Sequence, residues 1–442
     1  MASGNTLEAA SLWGFPWGYA VLGGLVIIGM ALFGIRLFYL SRRPADAPYA
    51  KHLAANTRAK LPARVWAPAF VLYVLVPLLL LGFYGLCQYQ GISFRIAGML
   101  TNAGLTTGVI YALLGVSIVL VFSVTRVLFV PQGEFVSYAA LTMAALQSGV
   151  FPATALLIVV VGAACFIQET IRSLRSRVHI RLNEWIYRVG RDIVFPSLVC
   201  AVVWFAAAKE TGLPIQALLT LLILIPLGPM VYRLAFEPVA HASTLTLLII
   251  SISVHFALMG LGLVMFGPEG VQTRPFITGV VRIFGIAVQW QAIVVVVTAL
   301  ALVVGLYIYF EHSFMGKALK AMSVNRMGAR LVGINTARAG RMTFVIAAAL
   351  GAVSGILISP LIMVSYDMGF LMSLKGFVGS VFGGLASYPL TALGSIFVGL
   401  LESWSSFFAS AYKEVIVFTL IIPLLLWLSL VSGDHAHEQE DE

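Results

Sequence analysis

The chain has 442 residues, of which 60% are hydrophobic and only 10% charged, and its formal net charge is +9. Soluble domains carry about a quarter charged residues, so these proportions exclude a soluble globular protein, along with disordered, collagenous, coiled-coil and disulfide-scaffolded chains. What remains is an all-α polytopic membrane protein, a transmembrane helical bundle whose positive charge has to be located along the chain.

A helix needs about 20 apolar residues to cross the hydrocarbon. Runs that meet this need are residues 17–40, 68–87, 104–124, 131–148, 152–171, 194–208, 214–232, 244–266, 290–310 and 342–364. A shorter pair flanks residues 383–389, and 415–431 closes the series. The pattern predicts about thirteen passes, some interrupted or re-entrant. At residues 17–40 the basic residues follow the apolar run, which marks a retained anchor and not a cleaved signal peptide. Most of the 27 Lys and Arg residues fall in three clusters, at 36–64, 172–191 and 317–341. Basic loops stay in the cytoplasm, so the N-terminus is expected outside and the C-terminus inside. The clusters lie between spans without interleaved aromatic platforms, which argues for membrane lipid around the chain and against nucleic acid. Residues 433–442 are rich in acids and His and read as a solvated cytoplasmic tail. Cys87, Cys165 and Cys200 lie in apolar runs with no metal or redox spacing, so they read as small buried residues and no metal is predicted.

Two stretches interrupt the apolar pattern. The first is Phe129-Val130-Pro131-Gln132-Gly133-Glu134; the second is residues 376–394, cut by Gly379, Gly383, Gly384, Pro389 and Gly394. Irregular backbone at membrane depth implies burial in protein or a cavity, and a pair of such breaks points to a translocation site. Close helix packing through small residues is the competing explanation. Glu134 and Glu402 are the clear intramembrane carboxylates; each either functions there or bonds a neighbouring backbone. His255, alone in its span, reads as a packing residue ahead of a proton relay. No HExxH, no Ser/His/Asp order and no paired carboxylates at catalytic spacing occur, so no catalytic residue and no enzyme activity are predicted.

The loop at 311–341 has its own character. Met327, Leu331 and Ile334 recur at helical spacing, Arg326 and Arg330 pair on another face, and Gly333 with Asn335 reads as a helix stop. This predicts a short amphipathic cytoplasmic helix, suited either to docking a soluble partner or to lying on anionic lipid.

Residues 316–335, followed by Thr336-Ala337-Arg338 and Thr343-Phe344-Val345-Ile346-Ala347-Ala348, resemble the cytoplasmic loop and following helix of branched-chain amino acid ABC importer permeases, closest to the LivH-type subunit. Residues 104–115 resemble that family's first core helix, and 381–389 its late glycine-rich turn. Tyr412-Lys413-Glu414 and the stretch from Tyr232-Arg233 to Pro238 are similar to further family segments. The resemblance covers roughly residues 100–148 and 213–430. It departs at Phe129 and Pro131, where the family usually carries Asn and a small residue, and in the spans ahead of the core and the inserted pair.

The resemblance implies a permease domain at 96–432, with an inserted helix pair at about 150–210 and a coupling segment at 311–341. Ahead of it stands an N-terminal extension at 1–95 holding two spans and a basic loop, and the tail at 433–442 follows. It also implies a half-transporter in a bacterial inner membrane, paired with a second, LivM-type permease subunit, two ATPase subunits and a periplasmic binding protein. The sequence holds no GxxxxGK[ST] loop, so ATP and Mg belong to the partner chains and no cofactor is expected on this one. Lys317, Lys320, Arg326, Met327, Arg330 and Leu331 become the expected ATPase contacts. Asn102, Thr106, Thr107, Phe129, Gln132, Glu134, Gly383 and Gly384 become the expected pathway. Branched-chain amino acids are the default substrate, with aromatic or carboxylic acids and urea-like amides left open by Phe129. Two alternatives stand beside this reading: an ion-coupled secondary transporter that uses Glu134 or Glu402, and a non-transporting scaffold.

Overall fold

The computed structural model describes residues 76–419 apart from 90, 176–181, 208, 210 and 284, and also residue 422. The run at 17–40, the basic cluster at 36–64, Arg177, Arg181 and the tail at 433–442 lie outside the described residues, as do parts of the runs at 68–87 and 415–431. The chain divides into two compact units, one of residues 1–86 with 431–442 and the other of residues 87–430. The bundle described below, from residue 94 onward, belongs to the second unit, and the first described helix, Val76–Tyr89, lies mostly in the first. Among the described residues, eight helices are long and apolar enough to cross a membrane.

Helix α1 covers Val76–Tyr89 and α2 covers Phe94–Thr125. At 32 residues α2 is the axis of the bundle, with most of its apolar stretch buried. It packs against α14 (Tyr388–Phe408) at backbone distance, since a Cβ on Gly108 would stand 2.8 Å from the Ile396 backbone. Arg126 ends α2 in a left-handed conformation at φ 62°, its N–H donated to the Phe122 carbonyl. After an irregular stretch comes α3 (Gln132–Gln147), only 16 residues long and buried almost throughout. Next are α4 (Thr154–Arg175), α5 (Leu182–Val189) and α6 (Phe195–Ala207), the last two joined by a π-helical segment at Gly190–Val194. Helix α7 (Leu213–Val231) continues into a π segment at Tyr232–Phe236 and a 3₁₀ turn at Glu237–Val239.

Helix α8 (Thr244–Phe266) starts at Ser243, whose hydroxyl accepts the Thr246 N–H, and ends at Gly267 with φ 76°. An antiparallel hairpin of β1 (Val280–Ile283) and β2 (Ile286–Gln289) leads to α9 (Trp290–His312), the least buried span. Two short helices, α10 (Phe314–Val324) and α11 (Arg326–Leu331), then precede α12 (Thr336–Ile358). Helix α13 (Met368–Phe382), α14, a 3₁₀ turn at Ser410–Tyr412 and α15 (Lys413–Thr419) complete the described chain.

Four expectations change. The coupling loop is two helices, because Asn325 takes an extended conformation and its Oδ1 caps the Gly328 N–H at 2.8 Å. The expected helix stop holds at Gly333, which turns at φ 88° just past α11, but Asn335 has the opposite role: its side chain accepts the Arg338 N–H at 3.0 Å and opens α12, six residues ahead of the run at 342–364. Residues 376–394 break at one place only: the expected shorter pair around 383–389 is α13, ending at Phe382, and α14, beginning at Tyr388, whereas Gly376, Gly379 and Gly394 lie inside these helices and serve close contact with α2 and between α13 and α14. Cys200 is half-buried, whereas Cys87 and Cys165 are buried as expected, and all three are free.

The core at the α2–α3 junction is aromatic. Phe129 is 1% exposed and meets Phe344 edge-on at 4.7 Å, with Phe135 at 5.9 Å and Phe236 at 6.0 Å. Such pairs add to the packing of large rings. Phe129→Ala is therefore expected to destabilise the bundle by about 3–5 kcal/mol, read as a lower melting temperature of the detergent-purified chain; an unchanged melt contradicts this packing role.

Candidate translocation pathway and coupling surface

The stretch between α2 and α3 packs inside the bundle, with partners within the lengths of other helices. Val130 donates its N–H to Ser251 Oγ at 2.9 Å, and its carbonyl accepts from Ser373 Oγ at 3.4 Å. Gln132 Nε2 donates to the Ala347 carbonyl at 2.9 Å. Glu134 Oε1 meets His255 Nδ1 at 2.7 Å, with both residues buried. Gly133 permits this entry into the bundle, since a Cβ there would stand 1.8 Å from the Gly369 carbonyl oxygen at the start of α13. Three acceptors on α3, Gln132 Oε1, Glu134 Oε2 and Ser137 Oγ, are buried without a hydrogen-bond partner. Beside the break opens a cavity of about 540 Å³, walled by Leu128, Phe129, Val130, His255, Met259 and Ser373 among others. His255 is thus a partner of Glu134 and a wall of the cavity, where the sequence favoured packing over a proton relay. Phe129 only borders that cavity and is mainly a core residue.

The remaining expected pathway residues sit elsewhere. Thr106 is buried and donates to the Asn102 carbonyl of its own helix at 2.8 Å. Asn102 is half-buried on α2. Thr107 lines a separate groove of about 360 Å³ with Leu100, Ala103, Glu402 and Ser403. Gly383 and Gly384 form the turn between α13 and α14, beside Tyr388, whose ring stacks on Phe310 near the end of α9. That turn is at the end of the bundle that carries α10 and α11.

Glu402 is not a lone acid. Lys375 on α13, 5% exposed, donates to Glu402 Oε1 at 2.5 Å and to Glu414 Oε1 at 3.1 Å, and Tyr111 OH donates to Glu402 Oε2 at 2.7 Å. A second buried network was also missed. Arg233 grips Asp192 with two bonds of 2.6 and 2.8 Å and reaches Glu169 Oε1 at 2.7 Å, while Arg191 bonds both acids. Glu169 lies on α4 and Asp192 in the π segment before α6, so the inserted pair is clamped onto the end of α7. The sequence signal for both networks was a charge set inside an apolar run, without any indication of its partner. Removing one member of a buried network strands its opposite charges. Arg233→Met should lower stability by about 3–5 kcal/mol, with partial recovery on adding Asp192→Asn; thermal unfolding of the purified variants checks both. Equal melting of wild type and Arg233→Met would count against the clamp.

The segment at 314–331 presents a different chemistry. Leu319, Met322 and Ala329 pack with Leu120 and Val124 of α2 and Ala339 of α12, while Ile334 packs against this cluster from its edge. Met327 is 70% exposed and Leu331 86%. Lys317, Lys320 and Arg330 are exposed, and Lys320 contacts Glu311 at 3.3 Å. Arg326 is half-buried, with a buried Nε that has no partner. A groove of about 540 Å³ runs between these helices and the end of α9, lined by Lys317, Lys320, Val324 and Val332 among others.

The family described as the permease component of the branched-chain amino acid transport system matches residues 193–425, more than half of the chain. The permease protein LivH of the high-affinity branched-chain amino acid transport system of Salmonella typhimurium is 33% identical over 207 residues, covering 45% of this chain and 67% of that protein. LivH of Escherichia coli is 32% identical over the same length. BraD of Pseudomonas aeruginosa is 26% identical over 255 residues, covering 55% of this chain and 81% of that protein. No solved structure gives a significant match. With its apolar bundle and this similarity, the chain is a multi-pass membrane protein that belongs to the permease components of branched-chain amino acid transport systems.

Proposed function

We propose that the chain is one of two permease subunits of an ATP-driven ABC importer in a bacterial inner membrane. It works with a related permease subunit, two ATPase subunits that hold ATP and Mg, and a periplasmic binding protein. The imported solutes are branched-chain amino acids or related small carboxylated molecules. The N-terminus lies outside, and the C-terminus and the segment at 314–331 lie in the cytoplasm, in line with the basic loops.

The observation that carries this reading is the contact chain from the exposed segment to the break. Met327 and Leu331 leave an apolar surface uncovered, flanked by Lys317, Lys320 and Arg330. Behind it, Leu319 and Met322 pack against Leu120 and Val124, the last turns of α2 before Arg126 and the break. A push delivered by an ATPase closing on this surface moves the end of α2, and with it the backbone at Phe129–Glu134. Alternating access then follows from reorientation of the break between two packed states. The two acids that an ion-coupled mechanism would need are both engaged, Glu134 with His255 and Glu402 with Lys375.

Arg330→Glu combined with Leu331→Asp changes exposed positions only, so the bundle should still fold. Such a variant is expected to lose co-purifying ATPase subunits, or to hydrolyse ATP without uptake, in proteoliposomes of the assembled system. Retained ATPases with wild-type uptake would place the docking surface elsewhere. Uptake in the same vesicles should persist when an ionophore collapses the proton gradient and stop when the ATPase is inactivated. The reverse pattern would establish ion coupling.

A further inference from the structure

The cavity at the α2–α3 break is apolar except at two points, His255 and Ser373. His255 is 4% exposed, and its ring is fixed between Phe256 and Phe370, with centroids at 5.0 and 4.7 Å. Its Nδ1 is committed to Glu134 Oε1 at 2.7 Å, so Nε2 is the ring nitrogen left for a solute in the cavity that the residue lines. A carboxylate at Nδ1 holds the proton there and strengthens Nε2 as an acceptor. Among the described residues, Glu134 has no Lys or Arg partner, and its Oε2 is buried without a hydrogen bond. An acceptor backed by a buried, otherwise uncompensated carboxylate favours a cationic donor and repels an anion. The remaining wall, with Leu128, Phe129, Met259 and Phe377, suits a hydrocarbon or aromatic group. Its volume of about 540 Å³ is within the range of small-molecule sites.

We infer that this cavity binds the ammonium end of an apolar amine-bearing solute, such as a large aliphatic or aromatic amino acid, with His255 Nε2 as the ammonium acceptor and Glu134 as the positioning residue behind it. The inference rests on the transport reading above and names the solute feature that the membrane subunit itself recognises. Solutes of the same carbon skeleton without the amine are rejected, because the acceptor stays unpaired against their carboxylate.

The test is equilibrium binding to the full-length chain in lipid nanodiscs, with L-phenylalanine, 2-phenylethylamine and 3-phenylpropanoate as probes. Both amines should bind saturably, and 3-phenylpropanoate about tenfold more weakly or less. His255→Phe and Glu134→Gln should collapse that ratio towards unity without weakening 3-phenylpropanoate, a change that a merely structural role would not produce. His255→Gln keeps an acceptor and should retain most of the preference, and Met259→Trp should fill the cavity and abolish binding of all three probes. If His255→Phe fails to fold, Glu134→Gln and Met259→Trp decide. Equal binding of amine and acid probes to wild type, absence of saturable amine binding, or a preference that survives Glu134→Gln overturns the inference. A chain that still grips its ATPase subunits while showing no amine preference refutes this inference alone. A chain that does not couple to ATPases refutes the transport reading, whatever the preference.

Discussion

Inside a bilayer, backbone groups that leave a helix must find partners in the protein itself, and the protein between Arg126 and Glu134 meets that demand with short turn bonds, such as Gln132 N–H to the Phe129 carbonyl at 3.3 Å, together with side chains from other helices. Ser251 takes the Val130 N–H, Ser373 reaches the Val130 carbonyl, and Gln132 spans to the Ala347 carbonyl. These partners come from α8, α13 and α12, so the break ties three spans to one irregular turn. The tie also requires intimate contact. Gly133 and Gly369 let α3 and α13 approach until their backbones touch, which a methyl group at either position would prevent. Side-chain hydrogen bonds and a glycine contact are weaker and more readily exchanged than a helical ladder, so this region has alternatives available that the surrounding helices lack.

The rest of the bundle is arranged around that turn with graded rigidity. The aromatic nest of Phe129, Phe135, Phe236 and Phe344 holds one side of it, and the Arg233–Asp192–Glu169 network fixes the inserted pair to the end of α7. Arg341 adds a bidentate bond to Glu237 at 2.8 and 3.0 Å, joining the start of α12 to the segment after α7. The coupling helices, by contrast, meet the end of α2 through apolar side chains, with Leu319, Met322 and Ala329 in one buried cluster with Leu120 and Val124. Contacts of that kind transmit displacement without locking a particular register.

The helical architecture was legible because membrane spans are long, uniform and bounded by strong local signals. Residues 244–266 match α8 at both ends, where Ser243 caps and Gly267 stops the helix. Errors arose where a local polar residue outranked hydropathy. Asn335 starts α12 ahead of its apolar run, and Asn325 splits the coupling segment, since an Asx side chain that caps an N–H competes with helix continuation. The glycines at 376–394 were ambiguous because packing and breaking call for the same residue. The polar pairs were beyond reach for a different reason. His255 and Glu134 are 121 residues apart, and Lys375 meets Glu414 across 39, so nothing local indicates either partner. Asp192 and Glu169 stood in regions without the family resemblance, where only the fold brings them to Arg233.

The most direct measurement of the central claim is the side of the membrane from which the break can be reached in each nucleotide state. A single cysteine at Ser373→Cys, in a chain whose native cysteines have been replaced, can be labelled with a membrane-impermeant thiol reagent in the assembled transporter. The account predicts that labelling switches from one face to the other when the ATPase subunits are trapped with ATP. Labelling from the same face in both states, or from neither, would contradict a moving break at the centre of this permease.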